Sequence, residues 1–472
     1  MGKFKINGKW LLALGYPQGP VVSVAMTVIN MHFKHSSEEE VKQILTAVLA
    51  DPVGYLEHET LSKIAVKLVP EAIPERVEHK LLEKPVPYEV YGESFIEEGA
   101  RSQMNSAVYL PVAVAGALMP DAHQGYGLPI GGVLATENAV IPYGVGVDIG
   151  CRMCLSIIDL PEVSLDGQFD KYKKELEKNT VFGAGGALKI AKDDAVLERS
   201  EFNEIPLLKR LKDKAVDQLG TSGSGNHFVE WGIVELTDNN NGLNMPAGRY
   251  VALLSHSGSR GLGAQVAGEY TKLARELCPL PSQVQHLAYL DLNTEAGQEY
   301  WLAMNLAGDY ASACHHLIHK RLIKAIGGNI LARVENHHNF AWKEVYNGRE
   351  VIVHRKGATP AGEGVLGIIP GSMTAPGYIV RGLGNAASLN SASHGAGRRM
   401  SRSKALKSIT GHDLRTVLRD HNVTLIGGGL DEAPMAYKDI NTVMAAQSDL
   451  VDIVGRFMPR IVRMADPGPS ED

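Results

Sequence analysis

The chain has 472 residues, 44% of them hydrophobic, and its 47 Lys and Arg stand against 53 Asp and Glu for a formal net charge of −6. That length and apolar content build one large domain or a few ordinary ones, and the acidic balance excludes a domain that coats nucleic acid through a basic surface. No apolar run reaches the roughly 18 residues that span a bilayer, and Met1-Gly2-Lys3-Phe4-Lys5-Ile6 lacks the apolar stretch of a signal peptide, so a cytoplasmic protein without a membrane partner is expected.

Residues 1–87 are rich in Glu, Lys and helix formers and poor in glycine clusters, and read as a partly helical N-terminal extension. Ser37-Glu38-Glu39-Glu40 is a capping box, and Val41, Ile44, Leu45, Val48 and Leu49 follow on one helical face, which predicts a helix ending before Pro52. Lys84-Pro85-Val86-Pro87 makes an extended joint to the main body, residues 88–465. From Phe95 a helical stretch leads into strand-like segments by Leu118, and Leu128 to Leu155 reads as successive short strands. Cys151 and Cys154 form a CxxC pair inside this strand-like stretch, where a thioredoxin-type pair would instead open a helix; no second CxxC supports a zinc ribbon. Four cysteines in all are too few for a disulfide framework.

Phe228 to Leu236 and Arg249 to Ser255 flank Asp238-Asn239-Asn240-Asn241-Gly242, a hairpin signal. Met304 to Ile326 predicts a long helix closed by Gly327-Gly328. It carries Cys314, His315, His316 and His319, and His315 with His319 has the spacing of a metal pair; with no glycine or carboxylate partner beside them, packing is the better reading. Ile440, Val443, Met444, Leu450, Val451 and Val454 continue a helical pattern, and residues 466–472 read as a disordered tail. Strands mixed irregularly with helices predict an α+β fold rather than a regular βα barrel or doubly wound sheet.

Six short segments, most with glycine, carry residues able to bind a metal or a phosphate. They are Pro120-Asp121-Ala122-His123-Gln124-Gly125-Tyr126-Gly127, Asp148-Ile149-Gly150-Cys151, Gly223-Ser224-Gly225-Asn226-His227, Ser255-His256-Ser257-Gly258-Ser259-Arg260-Gly261, His337-His338-Asn339 and Ser393-His394-Gly395-Ala396-Gly397-Arg398. Side chains so far apart meet only in a folded cleft, and glycine lets backbone approach a bound group. Gly150 would bend its segment enough for Asp148 and Cys151 to reach one site. With imidazoles from His227, His256 and His338 the set is a carboxylate, a thiolate and three histidines, enough for two metal ions if Cys151 bridges them. Thiolate and imidazole favour zinc, while the carboxylate and open positions admit manganese. No Walker loop or dinucleotide fingerprint is present. Ile369-Pro370-Gly371-Ser372-Met373 and the His394 segment offer a phosphate nest instead, and an imidazole there can attack an α-phosphate and hold a nucleotide as a phosphoramidate. Local basic groups are His354-Arg355-Lys356-Gly357, Arg260, and Arg398-Arg399-Met400-Ser401-Arg402 with Lys404.

Taken with Gly146-Val-Asp-Ile-Gly-Cys, His354-Arg-Lys-Gly-Ala-Thr and Glu432-Ala-Pro-Met-Ala-Tyr-Lys-Asp, these segments resemble the RtcB family of GTP-dependent RNA ligases over roughly residues 88–464. The resemblance implies mixed sheets flanked by helices around a central metal cleft. It implies two Mn2+ ions, one on Asp148, Cys151 and His227 and the other on Cys151, His256 and His338. By the same resemblance His394 would become guanylylated, Asn226, Glu230, Ser372, Ala396, Gly397 and Tyr437 would hold GTP, and Arg402 would draw in a substrate phosphate. The implied partners are RNA 3′-phosphate or 2′,3′-cyclic phosphate ends and 5′-hydroxyl ends, joined in tRNA splicing or RNA repair; the alternative is a metal-dependent phosphoesterase that opens such ends without joining them. A helper protein and the oligomeric state are left open. The chain departs from the family at Met464, where members carry a lysine that contacts the nucleotide, and at Gly377, where a second nucleotide-binding serine is common; both bear on nucleotide choice.

Overall fold

The computed structural model describes residues 6–17, 20–34, 36–69, 79–188 and 194–467. Of the tail expected at 466–472, residues 468–472 lie outside the described residues. The described residues fall into two compact units, one within Met1–Val77 and one within Glu78–Asp472.

The first unit holds helices Gly8–Ala13, Pro20–His32, Glu38–Ala50 and Ser62–Leu68. The expected capping box forms: the Glu40 amide donates to Ser37 Oγ at 3.4 Å and the Ser37 amide to Glu40 Oε2 at 2.7 Å. Val41, Leu45 and Val48 then face a core shared with Leu11, Ala25 and Ile64, and the helix stops ahead of Pro52.

The second unit is an α+β body of two main sheets. One has five strands in the order Tyr88–Val90, Ala113–His123, Ile130–Thr136, Arg349–Lys356 and Asn339–Tyr346. The other runs Leu366–Ile369, Gly377–Gly382, Val451–Met464, Phe228–Leu236, Gly248–Ser257, Arg152–Ile158 and Ile330–His337, with Thr424–Ile426 joined to Val451–Met464. The predicted hairpin is the Phe228–Leu236 and Gly248–Ser257 pair, antiparallel throughout.

Two expectations are corrected. The long helix begins at Glu295, capped by Thr294, whose side chain accepts from the Gly297 amide; it then runs to Ile326 and closes at Gly327 in the left-handed conformation with φ 82°. The helical pattern expected to continue through Leu450, Val451 and Val454 stops at Ala445, and Val451–Met464 is a strand. Short apolar runs fit either period, and two neighbouring strands waiting for partners decide this one: Val451–Met464 pairs with Gly377–Gly382 on one side and Phe228–Leu236 on the other.

His315 and His319 of the long helix are fully buried against strands Gly248–Ser257 and Arg152–Ile158. Their protons follow from their partners. His315 Nε2 lies 3.1 Å from the Ser257 carbonyl, which only accepts, so Nε2 carries the hydrogen and Nδ1 accepts from Ser255 Oγ at 2.6 Å. Ser255 Oγ must then accept from His319 Nε2 at 2.8 Å, and His319 Nδ1 accepts from Ser156 Oγ at 2.8 Å. Cys154 Sγ stands 4.0 Å from that same nitrogen, so Cys154, His315 and His319 also make a grouping of metal-ligand type; the hydrogen-bond chain already engages both rings through both nitrogens. Burial pushes the His315 pKa down to about 4 and His319 well below its usual value.

Ser255→Ala removes one donor and one acceptor from this chain and is expected to cost about 1–3 kcal/mol per stranded nitrogen, read from the urea midpoint. A histidine buried neutral must take up its proton on unfolding, so the His315 contribution is complete above the unfolded pKa near 6.5 and is lost as pH falls toward about 4. Urea midpoints that stay level across that window would contradict it.

Candidate active site

Four neighbouring strands of the larger sheet deliver metal-binding side chains to one edge. In an antiparallel sheet the start of each strand lies beside the end of its neighbours. Cys151 precedes strand Arg152–Ile158, His227 precedes Phe228–Leu236, His256 ends Gly248–Ser257, and His338 follows Ile330–His337. The register ties them: His256 is opposite both Met153 and Phe228, and Arg152 is opposite His337.

Asp148 reaches the same place through a turn. Gly150 takes φ 69°, the Cys151 amide donates to the Asp148 carbonyl at 3.2 Å, and the Gly150 amide donates to the Asn339 carbonyl at 2.8 Å. The strand predicted to run through this segment therefore starts only at Arg152. The Asp148 carboxylate accepts from the Ser259 amide at 3.1 Å, and a Cβ on the adjacent Gly258 would fall on that carboxylate.

The donor atoms sort into two overlapping sets that share Cys151. His227 Nε2 is 3.1 Å from Asp148 Oδ2 and 3.4 Å from Cys151 Sγ. His256 Nε2 is 3.2 Å from Cys151 Sγ and 3.2 Å from His338 Nε2. His256 Nδ1 faces the Asn226 carbonyl at 3.2 Å and so carries the ring hydrogen, which leaves the Nε2 lone pair directed at Cys151 and His338. Burial holds His256 and His338 well below the usual histidine pKa; burial would raise the Asp148 carboxyl, but His227, Cys151 and His256 together bring it below its ordinary value. Neutral imidazoles, a carboxylate and a thiol converging at one buried place is a donor set that suits a metal ion, and Cys151, His227 and His256 lie close enough to hold one.

His394 adjoins this cluster, with its ring centroid 4.8 Å from that of His338. Its Nδ1 lies 2.6 Å from Asp121 Oδ2, and the same oxygen accepts from the backbone amides of His394 and Gly395 at 3.1 and 3.3 Å. Burial would raise the Asp121 pKa, but His394 beside it brings the net value below the ordinary range. A carboxylate on Nδ1 fixes the tautomer, so the Nε2 lone pair is the reactive one.

A cavity of about 790 Å3 joins these groups. All the residues expected to act line it: Asp148, Cys151, His227, His256, His338, His394, Asn226, Glu230, Ser372, Ala396, Gly397, Tyr437 and Arg402. Burial raises Glu230 well above the usual carboxyl pKa. Arg402 is held by Asp431 at 2.7 Å and by Glu432, which also takes the Tyr437 hydroxyl. Met464 and Gly377 line the cavity too. His337 does not; its ring packs on Phe340 and Trp342, with centroids 4.9 Å away in each case.

Asp121 and Lys356 escaped assignment from sequence. Asp121 was in view within a glycine-punctuated segment, but its partner is 273 residues away. Lys356 stood in a basic cluster whose members alternate along a strand: Arg355 turns inward to Glu344 and Ser391, while the Lys356 amine enters the cavity and donates to the carbonyls of Tyr126 and Tyr143. Arg260 is directed at Thr221 and the Gly183 carbonyl.

The family model described as tRNA-splicing ligase RtcB matches residues 103–206 and 187–465. The chain is 35% identical over 395 residues to the RNA-splicing ligase RtcB of Escherichia coli strain K12, covering 76% of this chain and 92% of that one. It is 30% identical over 454 residues to the tRNA-splicing ligase RtcB of Methanococcus maripaludis, covering 78% and 94%, and 30% identical over 426 residues to the RNA-splicing ligase RtcB of Mycobacterium tuberculosis, covering 75% and 98%. With the match running through every segment that builds the cleft, the chain belongs to the RtcB family of RNA-splicing ligases.

Proposed function

We propose that this protein joins an RNA 3′-phosphate or 2′,3′-cyclic phosphate end to a 5′-hydroxyl end, using GTP as co-substrate and two manganese ions. The observation that carries the reading is the contact of His394 with Asp121 on one side and with the Asp148, Cys151, His227, His256 and His338 cluster on the other. Asp148, Cys151 and His227 would hold one ion and Cys151, His256 and His338 the other, matching the two sets of short distances. Bound there, the ions supply charge neutralisation at the phosphates.

His394 Nε2 attacks the α-phosphorus of GTP; a P–N bond forms, the α–β phosphoanhydride bond breaks and pyrophosphate leaves. Asp121 takes the Nδ1 hydrogen bond throughout and stabilises the cationic ring. An oxygen of the RNA 3′-phosphate then displaces His394 from the guanylate, and the 5′-hydroxyl oxygen attacks the activated 3′-phosphorus and expels GMP. A cyclic end is first opened by water. Asn226, Glu230, Ser372, Ala396, Gly397 and Tyr437 form the nucleotide's surroundings, and Arg402 meets a substrate phosphate by exchanging one of its carboxylate partners.

Incubation with α-labelled GTP and manganese is expected to label the protein covalently, and His394→Ala to abolish the label. Asp121→Asn keeps the shape but loses the charge, and labelling is expected to slow by about 100- to 10,000-fold. Opening of cyclic ends with neither label nor joined RNA would instead favour the phosphoesterase.

Metal content gives an independent measure. The wild-type chain is expected to bind about two manganese ions, and Cys151→Ala, which removes the ligand common to both sets, to lose both rather than one; retention of one full equivalent would separate the two sites.

Met464 is opposite Phe228 and Val462 opposite Glu230 across paired strands, so residues 464 and 230 are diagonal neighbours in the cavity wall. Met464→Lys would bring an amine beside a carboxyl that now has apolar surroundings, and GTP affinity is expected to rise about tenfold. A Cβ on Gly377 meets only ordinary contacts, 3.5 Å from Ile368 and Pro370, so Gly377→Ser is sterically allowed and should add a smaller gain. Equilibrium binding of GTP to both variants decides this, and unchanged affinity in Met464→Lys would remove residue 464 from the nucleotide's surroundings.

A further inference from the structure

A second feature of the cleft is not used by the chemistry at His394. Tyr126 is 74% exposed, an unusual setting for so large a ring. Its loop is nonetheless held. The Gln103 side chain donates to the Gly125 carbonyl at 2.7 Å and accepts from the Gly125 amide at 3.0 Å, and the Lys356 amine donates to the Tyr126 carbonyl. The ring therefore projects from an anchored backbone.

Behind it the aromatic surface continues. Tyr143 lies 6.5 Å from Tyr126 between ring centroids with the two rings tilted by 46°, so they offer two neighbouring faces, and His286 stacks on Tyr143 at 5.7 Å with an interplanar angle of 29°. Positive charge accompanies the rings. Lys356 Nζ sits 5.1 Å from the Tyr143 centroid and the Arg275 guanidinium 6.0 Å from it. Tyr126, Tyr143 and Lys356 line the same cavity as His394, and Gly357, next to Lys356, is placed so that a Cβ there would stand 3.3 Å from the His394 ring.

Resting on the RNA-joining reading, we propose that Tyr126 and Tyr143, backed by His286, form a stacking platform for an unpaired nucleobase of an RNA end, with Lys356 and Arg275 drawing in its backbone phosphate. Single-stranded nucleic acid is held by this combination of exposed aromatic faces and adjacent cations, because every base has a π face and every linkage a charge. The platform is tolerant of sequence, which suits an enzyme that must accept whichever base borders the break. Both ends brought to a ligation carry such a base, and the arms of the test tell them apart.

The experiment is equilibrium binding of two short fluorescent RNAs, one ending in a 3′-phosphate and one in a 5′-hydroxyl, each with a normal or an abasic terminal nucleotide. Tyr126→Ala is expected to weaken binding of one of the two ends about tenfold, and Tyr126→Phe to bind it as the wild type does. The abasic terminus should cost the wild type a similar factor and cost Tyr126→Ala almost nothing, because the same stacking contact is already lost. The proposal is overturned if Tyr126→Ala binds both ends normally, if Tyr126→Phe fails to restore binding, or if the abasic penalty is undiminished in Tyr126→Ala. Guanylylation of the wild type by α-labelled GTP is read in parallel. A labelled wild type with any of those three results retires the platform and keeps the ligase reading; an unlabelled wild type with the stacking signature does the reverse.

Discussion

Strand register is the constraint on which the rest of this molecule depends. Met153, His256 and Phe228 lie abreast across three antiparallel strands, and Arg152 lies opposite His337. Because side chains alternate between faces, a slip of one residue in any of these pairings would turn a ligand away from the cleft. The adjacent histidines demonstrate this on one strand end: His338 points to His256 and His394, while His337 packs on Phe340 and Trp342. The convergence of Cys151, His227, His256 and His338 is thus a property of the sheet.

Holding that register next to so many polar groups requires that the neighbouring layer also be polar and satisfied. An apolar contact behind Ser255 would pack equally well but would leave the strand free to shift. The chain from the Ser257 carbonyl through His315, Ser255 and His319 to Ser156 instead fixes the long helix to two of the ligand-bearing strands with directional bonds. Such outer contacts orient the groups that touch a bound ion, and a buried network of this kind is worth having only when each member is engaged.

The sequence exposed local chemistry better than long-range partnership. The capping box at Ser37, the hairpin around Asn239-Asn240-Asn241-Gly242 and the glycine-bracketed histidines are signals carried by a few adjacent residues, and each is found where expected. The apolar spacing of Val451–Met464 fits a helix until two flanking strands are supplied, and no local signal supplies them. The turn at Gly150 follows from the residue type, yet its purpose depends on Asn339, much later in the chain and just beyond strand Ile330–His337, which pairs with Arg152–Ile158. Asp121 belongs to the same class. A lone aspartate in a strand says nothing of a histidine 273 residues later, and only the fold makes the pair.

Charge is organised by the same logic. The acidic balance of the chain is compatible with an RNA substrate because most cations near the cleft are already committed to carboxylates: Arg398 and Arg402 to Glu432, Arg355 to Glu344. Those pairs shape the walls and contribute little net field. Lys356 differs, since its amine meets carbonyl oxygens, which orient it without cancelling its charge. Burial pushes its pKa down to about 7, so in the free protein the ammonium is only marginally favoured. A phosphate anion beside it works against that burial and favours the charged form. A phosphate at the wall that carries Tyr126 and Tyr143 would therefore strengthen the charge that meets it, with no strongly basic surface around it.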